Sequence, residues 1–249
     1  MYELKAALGN NTTATVGDNT LSLLAGDEGK FPAGDFRSSE CVKLLRQADI
    51  VVTNPPFSLF RQFVALLVKF KKKFLIIGNQ NAITYKEIFP MIVRNELWLG
   101  YGFQNSDAYF SLPSGQYKDF ADGVYNAATG LVKFRNLHWF TNMEHDKRNR
   151  PYELTGSYED NPEMYPRYDN YDAIEVSKTA DIPQDYFGVM GVPITFLDKY
   201  CPEQFELIGA TESEGTGFSN GLWHDDSKYR QATIDGNKVY KRLFIRRRV

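Results

Sequence analysis

The sequence predicts an α/β fold on two observations. Short apolar, β-branched runs alternate with longer amphipathic stretches from about Ser38 onward, and the later part of the chain turns to strand-like, aromatic segments. Alternation of this kind marks βαβ units around a parallel sheet buried on both faces, and the aromatic segments suit an antiparallel extension and a small β-rich lobe.

Residues 1 to 33 are rich in Gly, Asn and Thr, so they read as irregular connection with one short strand near Leu21 to Leu24. In SSECVKLLRQA, Cys41, Val42, Leu44 and Leu45 fall at helical spacing, with Ser38 or Ser39 available as N-cap. DIVVTN is a strand, and LFRQFVALLVKF is a helix whose Phe60, Phe63, Val64, Leu67 and Phe70 make one stripe. FLIIGNQN is the next strand; YKEIFPMIVRN is the next helix, expected to be disturbed at Pro90. ELWLGYGF, YFSLP and LVKFRNLHWFTNM are strand-like. After His145, DKRNRPYELTGSYEDNPEMYPRYDNYDA has the texture of a linker or long functional loop. AIEVS, FGVMGVPITFL, FELIGAT and a hairpin turning at Asp235-Gly236 complete the β-rich lobe.

Composition bounds the function. With 249 residues, 43% of them hydrophobic, the chain can bury a full core, and its apolar runs are too short to cross a bilayer. No basic, apolar leader opens it, so a cytoplasmic location is the expectation. Cys41 and Cys201 form neither a disulfide framework nor, with His138, His145 and His224, a zinc pattern; both are expected to be buried, and no metal is expected. The net charge of −2 is unevenly spread: residues 238 to 249 hold six basic residues and no acid, leaving −8 on the remainder. That tail is either a local cationic face or a solvated edge strand with a frayed basic end.

DIVVTNPPFSLF carries the chemistry. In open parallel sheets ligands bind beyond the carboxyl ends of the strands, where Asn54, Pro55, Pro56 and Phe57 fall. Consecutive prolines fix φ twice and offer carbonyl acceptors with no N–H of their own; Asn54 adds a side-chain acceptor and Phe57 a flat apolar face. A ligand matched to this carries two N–H bonds on one nitrogen of a flat ring, such as the exocyclic amine of a nucleobase. Two acceptors gripping that nitrogen favour its pyramidal form and localise its lone pair, so oriented acceptors serve without a strong base. The ring must leave the duplex, and stacking on Phe57 contributes ~1–3 kcal/mol. The same four residues also suit a stiffened strand-to-helix turn with Phe57 as a hydrophobic staple.

NPPF after an apolar strand, together with GDFRSSECVKLLRQADIVVTNPPFSLF, FLIIGNQNAITYKEIF, LWLGYGF, WFTNM, YDNYDAIEVSK, GVMGVPITFLDKY and VYKRLFIRRR, resembles the EcoRI-type adenine-specific DNA methyltransferases of restriction-modification systems. The resemblance runs from about Gly34 to the C-terminus. It implies a Rossmann-like methyltransferase sheet, S-adenosylmethionine as cofactor and double-stranded DNA with a flipped adenine as substrate. In its terms Asn54 and the Pro55 carbonyl hold the adenine amine and Phe57 stacks on the base. Asp35 accepts from the cofactor's adenine amine while Phe36 packs on that ring, and Trp139 and Phe140 supply the other face of the base pocket. Residues 1–145 become a partial catalytic core and 146–249 a DNA-recognition lobe, with Lys241, Arg242, Arg246, Arg247 and Arg248 as phosphate contacts.

The Gly-containing loop that such enzymes place after a first strand is not visible in residues 1 to 33; GNNTTATVG and GDEGKFPAG lack the preceding apolar strand, and IGATESEGTGFSNG, which follows FELIG, reads as a loop. The expectation is therefore an N-terminally incomplete sheet that binds S-adenosylmethionine weakly or not at all by itself. The alternative function is a DNA-binding remnant or split subunit, served by the tyrosine-rich segment and the basic tail and completed by a partner polypeptide that supplies the cofactor motif.

Overall fold

The computed structural model describes residues 13–16, 19–22, 24–102, 107–112, 120–211, 222 and 231–249. The chain divides into two compact units, Met1–Asp49 and Ile50–Val249. Among the described residues no helix is long and apolar enough to cross a membrane.

In the first unit, β1 (Thr13–Val16) and β2 (Asn19–Ser22) form an antiparallel hairpin where one strand was expected slightly later. Helix α1 spans Ser39–Gln47 and starts as the sequence indicates, with the Ser38 hydroxyl accepting from Cys41 N. Asp27 adds a second cap, accepting from the Ser39 N–H and hydroxyl, and Glu40 Oε2 accepts from the N–H groups of Ala25 and Gly26, tying the preceding loop to the first turn. Only Leu45 of the expected helix face is buried. Leu44 is exposed, and Cys41 is half-buried where full burial was expected.

In the second unit, β3 (Ile50–Thr53), α2 (Phe60–Lys69) and β4 (Lys73–Asn79) form a βαβ unit with β3 and β4 parallel. The α2 stripe holds: Phe60, Phe63, Val64 and Leu67 are buried, while Phe70 caps the helix half-exposed. Next come α3 (Phe89–Val93), β5 (Trp98–Leu99), β6 (Ala108–Ser111), β7 (Tyr125–Asn126), β8 (Leu131–Phe134) and β9 (Leu137–Thr141). Pro90 lies in the first turn of α3, where its missing N–H is no loss, so it opens the helix where a disturbance was expected. The main sheet has the order β3-β4-β9-β5, with β9 antiparallel to both neighbours; β6, β8 and β7 form a separate antiparallel sheet. The fold is thus mixed α/β, and within the main sheet only β3 and β4 pair in parallel. Nor is β3 buried on both faces, since Ile50 and Val52 are exposed.

The rest of the unit holds β10 (Ile174–Glu175), β11 (Met190–Pro193), β12 (Phe205–Ala210), β13 (Thr233–Ile234), β14 (Asn237–Lys238) and β15 (Arg242–Arg247). The second four-stranded sheet has the order β10-β11-β15-β12, which places β15 between two partners where the sequence left open an edge strand. The β13–β14 hairpin turns at Asp235 and Gly236, both at positive φ (50° and 75°), as expected for a two-residue loop. Asp169 accepts from the N–H groups of both turn residues.

The segment expected to be a linker or long functional loop is largely exposed up to Met164, but its end enters the core. Tyr165, Tyr168 and Tyr171 are buried, and the Tyr171 ring packs 4.8 Å from Phe244 of β15. Gly191 of β11 admits Tyr168: a Cβ there would stand 2.1 Å from the phenol oxygen. A tyrosine buries large apolar area while its hydroxyl keeps a partner, which makes a tyrosine-rich stretch read as polar when it is folding into a core.

Candidate active site

At the carboxyl end of β3 the side chain of Asn54 is exposed and Pro55 is buried. Pro56 (φ −57°, ψ 124°) leads into a 3-10 turn at Phe57–Leu59, and its carbonyl accepts from Leu59 N at 2.9 Å. That bond separates the two prolines. Among the described residues no hydrogen bond occupies Asn54 Oδ1 or the Pro55 carbonyl, so these two acceptors stay open at the strand end.

The turn is anchored from below by Phe60, which follows it. Its ring meets Phe140 edge-on at 5.1 Å, and both rings lie over Gly78 of β4, where a Cβ would come within 2.6 Å of Phe60. Gly78 is therefore required by close approach.

Asn54, Pro55, Pro56 and Phe57 form one side of a cleft of about 510 Å3. Ile77 and Leu137 of the main sheet line it, as do Phe110, Leu112 and Phe134 of the small sheet region. Apart from Asn54 every lining side chain is apolar, and Phe57 keeps 40% of its surface exposed. The size falls within the roughly 300–1,000 Å3 of small-molecule sites.

The two aromatics of WFTNM part company. Phe140 is fully buried under α2, whereas Trp139 lies beside Ile77 in the register and packs against the Ile77–Ala108–Leu137 cluster, on the cleft's side of the sheet. The polar residues of that motif act as clamps between strands: the Thr141 hydroxyl donates to the Phe74 carbonyl (2.6 Å), and Asn142 accepts from Phe74 N and donates to Lys72 O, both at 2.9 Å.

In the first unit, both carboxylate oxygens of Asp35 accept from Arg37, at 2.9 Å from Nε and 2.7 Å from Nη2, and these bonds hold the Asp35 carboxyl below its usual range. The Arg37 guanidinium lies 5.6 Å from the Phe36 ring centre. An acceptor spanned by guanidinium and a ring covered by it fit a cofactor adenine only in part.

The basic residues near the C-terminus also divide. Arg242 reaches inward: Nη2 lies 2.6 Å from Glu175 Oε1, and their side chains are 11% and 3% exposed. Tyr168 donates its hydroxyl to the same carboxylate; burial first, then the Glu175 charge, pushes the Tyr168 phenol far upward. Lys241 Nζ lies 3.5 Å from Thr84 Oγ1. Arg246 pairs with Glu206 on the surface, Arg247 lies over Phe187, and Arg248 Nε donates to the Pro202 carbonyl.

Sequence reasoning missed Phe110, Leu112 and Phe134 at the cleft. YFSLP and LVKF showed aromatics in strands, but nothing in them indicates which sheet the strands join.

A profile described as adenine-specific methyltransferase EcoRI matches residues 10–248. Among curated proteins, the chain is 45% identical over 231 residues to the Type II methyltransferase M.EcoRI of Escherichia coli, covering 92% of this chain and 65% of that protein. It is 38% identical over 221 residues to the Type II methyltransferase M.MgeORF184P of Mycoplasma genitalium, covering 86% of this chain and 69% of that protein. It is 42% identical over 179 residues to the Type II methyltransferase M.MpnI of Mycoplasma pneumoniae, covering 70% of this chain and 56% of that protein. No solved structure matches. The chain thus spans about two thirds of the length of the Escherichia coli relative.

Proposed function

Because the chain belongs to the adenine-specific methyltransferase EcoRI family, we propose that it transfers a methyl group from S-adenosylmethionine to adenine N6 in duplex DNA, as the modification enzyme of a restriction-modification system. The observation that carries this is the pair of open acceptors, Asn54 Oδ1 and the Pro55 carbonyl, beside the half-exposed ring of Phe57.

Adenine's N6 lone pair is spread into the ring and is a poor nucleophile. Held by two acceptors, its N–H bonds turn out of the ring plane and the pair localises on nitrogen. As the nitrogen becomes tetrahedral and gains positive charge, the same acceptors stabilise it, and one proton then leaves by way of them to solvent. The base reaches them by leaving the stack, and Phe57 takes over one of its faces. In this reading β3, α2 and β4 belong to a Rossmann-like methyltransferase sheet, and residues 146–249 form the DNA-recognition lobe. Asp35 and Phe36 would serve the donor's adenine only after Arg37 yields part of the carboxylate, so no step is built on them. Acting on cellular DNA places the protein in the cytoplasm.

Incubation with labelled S-adenosylmethionine and mixed-sequence duplex DNA tests the reading. Label should pass to adenine, and Asn54→Ala should lower the rate by about 10²–10³, the effect of losing one preorganised hydrogen-bond partner. DNA retained without any transfer would support a DNA-binding role instead.

A further inference from the structure

The cleft beside Asn54 has a second aromatic side. Phe110 of β6 and Phe134 of β8 are 43% and 45% exposed, with ring centres 5.3 Å apart and planes at 87°. In the antiparallel register Ala108 pairs with Phe134 and Phe110 with Val132, so Ala108, Phe110 and Phe134 project from one face of the small sheet. Ala108 is buried with Ile77 and Leu137, which seats that face against the main sheet, while both phenylalanines line the cleft that also holds Asn54 to Phe57.

Core packing does not explain this placement. A phenylalanine that serves only the core surrenders its exposed surface, and three around one cleft, each with two fifths or more of its surface in water, leave an apolar, ring-lined area uncovered. The occupant must therefore be apolar on its faces and polar at the edge that meets Asn54 Oδ1 and the Pro55 carbonyl. A flat heteroaromatic ring with an exocyclic amine meets both conditions, whereas an aliphatic side chain meets only the first. Phe140 cannot provide this surface, because it is buried beneath α2.

The geometry points to Phe110 and Phe134 as the aromatic wall that receives the target adenine once its amine is held by Asn54 and Pro55. This assignment rests on the reading of residues 54 to 57 as the target-base platform, and it adds the residues that select a flat ring. They bind the base and take no part in proton or methyl movement.

The test measures the affinity of the full chain, at one salt concentration, for a short oligodeoxyadenylate and for an abasic oligonucleotide of equal length. The ratio of the two isolates the base from the phosphate attraction common to both. Phe110→Ala and Phe134→Ala should each lower the ratio about 10-fold, within the range of base–aromatic stacking. Phe110→Tyr and Phe134→Tyr, which keep the ring, should hold it within about twofold of the parent. Phe134→Leu keeps apolar volume without the ring and should lower it, which decides the matter if an alanine variant unfolds. If the alanine variants keep the ratio while Asn54→Ala or Phe57→Ala lowers it, the wall assignment is overturned and the platform stands. If the tyrosine variants lose the ratio as fully as the alanine variants, the wall assignment is likewise overturned. A ratio near one for the parent chain, or one that no variant lowers, overturns both.

Discussion

Pro55 and Pro56 are chemically identical, and one hydrogen bond gives them different roles. The Pro56 carbonyl turns back to Leu59 and starts the helix, which leaves Asn54 and Pro55 to present acceptors. The sequence already showed that this dipeptide is stiff and donor-free, but not which carbonyl stays open. Arg242 shows the opposite case, where a charge read from sequence as surface turns inward to a buried carboxylate. Removing one partner of a buried ion pair leaves the other uncompensated, so Arg242→Met should cost about 3–5 kcal/mol, measured by urea unfolding. The double variant with Glu175→Gln should recover part of that loss. If Arg242→Met leaves stability intact and flattens the salt dependence of DNA binding, the arginine is a phosphate contact after all.

At the scale of elements, helices were more legible than sheet partners. The stripe Phe60, Phe63, Val64 and Leu67 repeats at helical spacing, and local geometry alone puts it on one face. Its partner surface is set in part by strands far apart in sequence: Gly78 meets Phe60 where α2 packs on β4, and Phe140 joins them only because β9 pairs with β4. Gly78→Ala should therefore destabilise by about 1–3 kcal/mol through overpacking. By displacing Phe60 it should also slow methyl transfer, measured against the thermal midpoint of the same variant. A second element, the loop at Ser157–Glu159, is held by Asp185, which accepts from the N–H groups of Tyr158 and Glu159 and from the Ser157 hydroxyl. The backbone bonds chiefly lower the Asp185 carboxyl to about 2. Its folded value lies below the ordinary value of about 3.9, so its stabilisation is complete above that pH and fades as the pH falls toward 2. Asp185→Asn should lower stability at neutral pH and flatten the decline between those values, as read from urea midpoints across pH.

On the scale of the whole molecule, a net charge of −2 conceals a chain end that carries six basic residues. Arg246, Arg247 and Arg248 lie on or near the surface, each with a protein partner that a phosphate would have to replace. Changing the three to Gln should weaken DNA binding equally across sequences and reduce the slope of log K against log salt by up to about 0.9 for each phosphate that is no longer neutralised. An unchanged slope in salt titrations would make them protein surface alone. By itself the sequence pointed to the family through the resemblance of its long motifs; it also determined the α/β character, the α2 stripe, the Asp235-Gly236 turn and the residues at the end of β3, because each of these is local chemistry or local periodicity. Only the tertiary structure decided that Tyr165, Tyr168 and Tyr171 enter the core, that β15 is internal, and that Phe110 and Phe134 share a cleft with Asn54. Those outcomes depend on which strands pair across long separations, and alternation along a strand specifies its two faces without specifying what either face will meet.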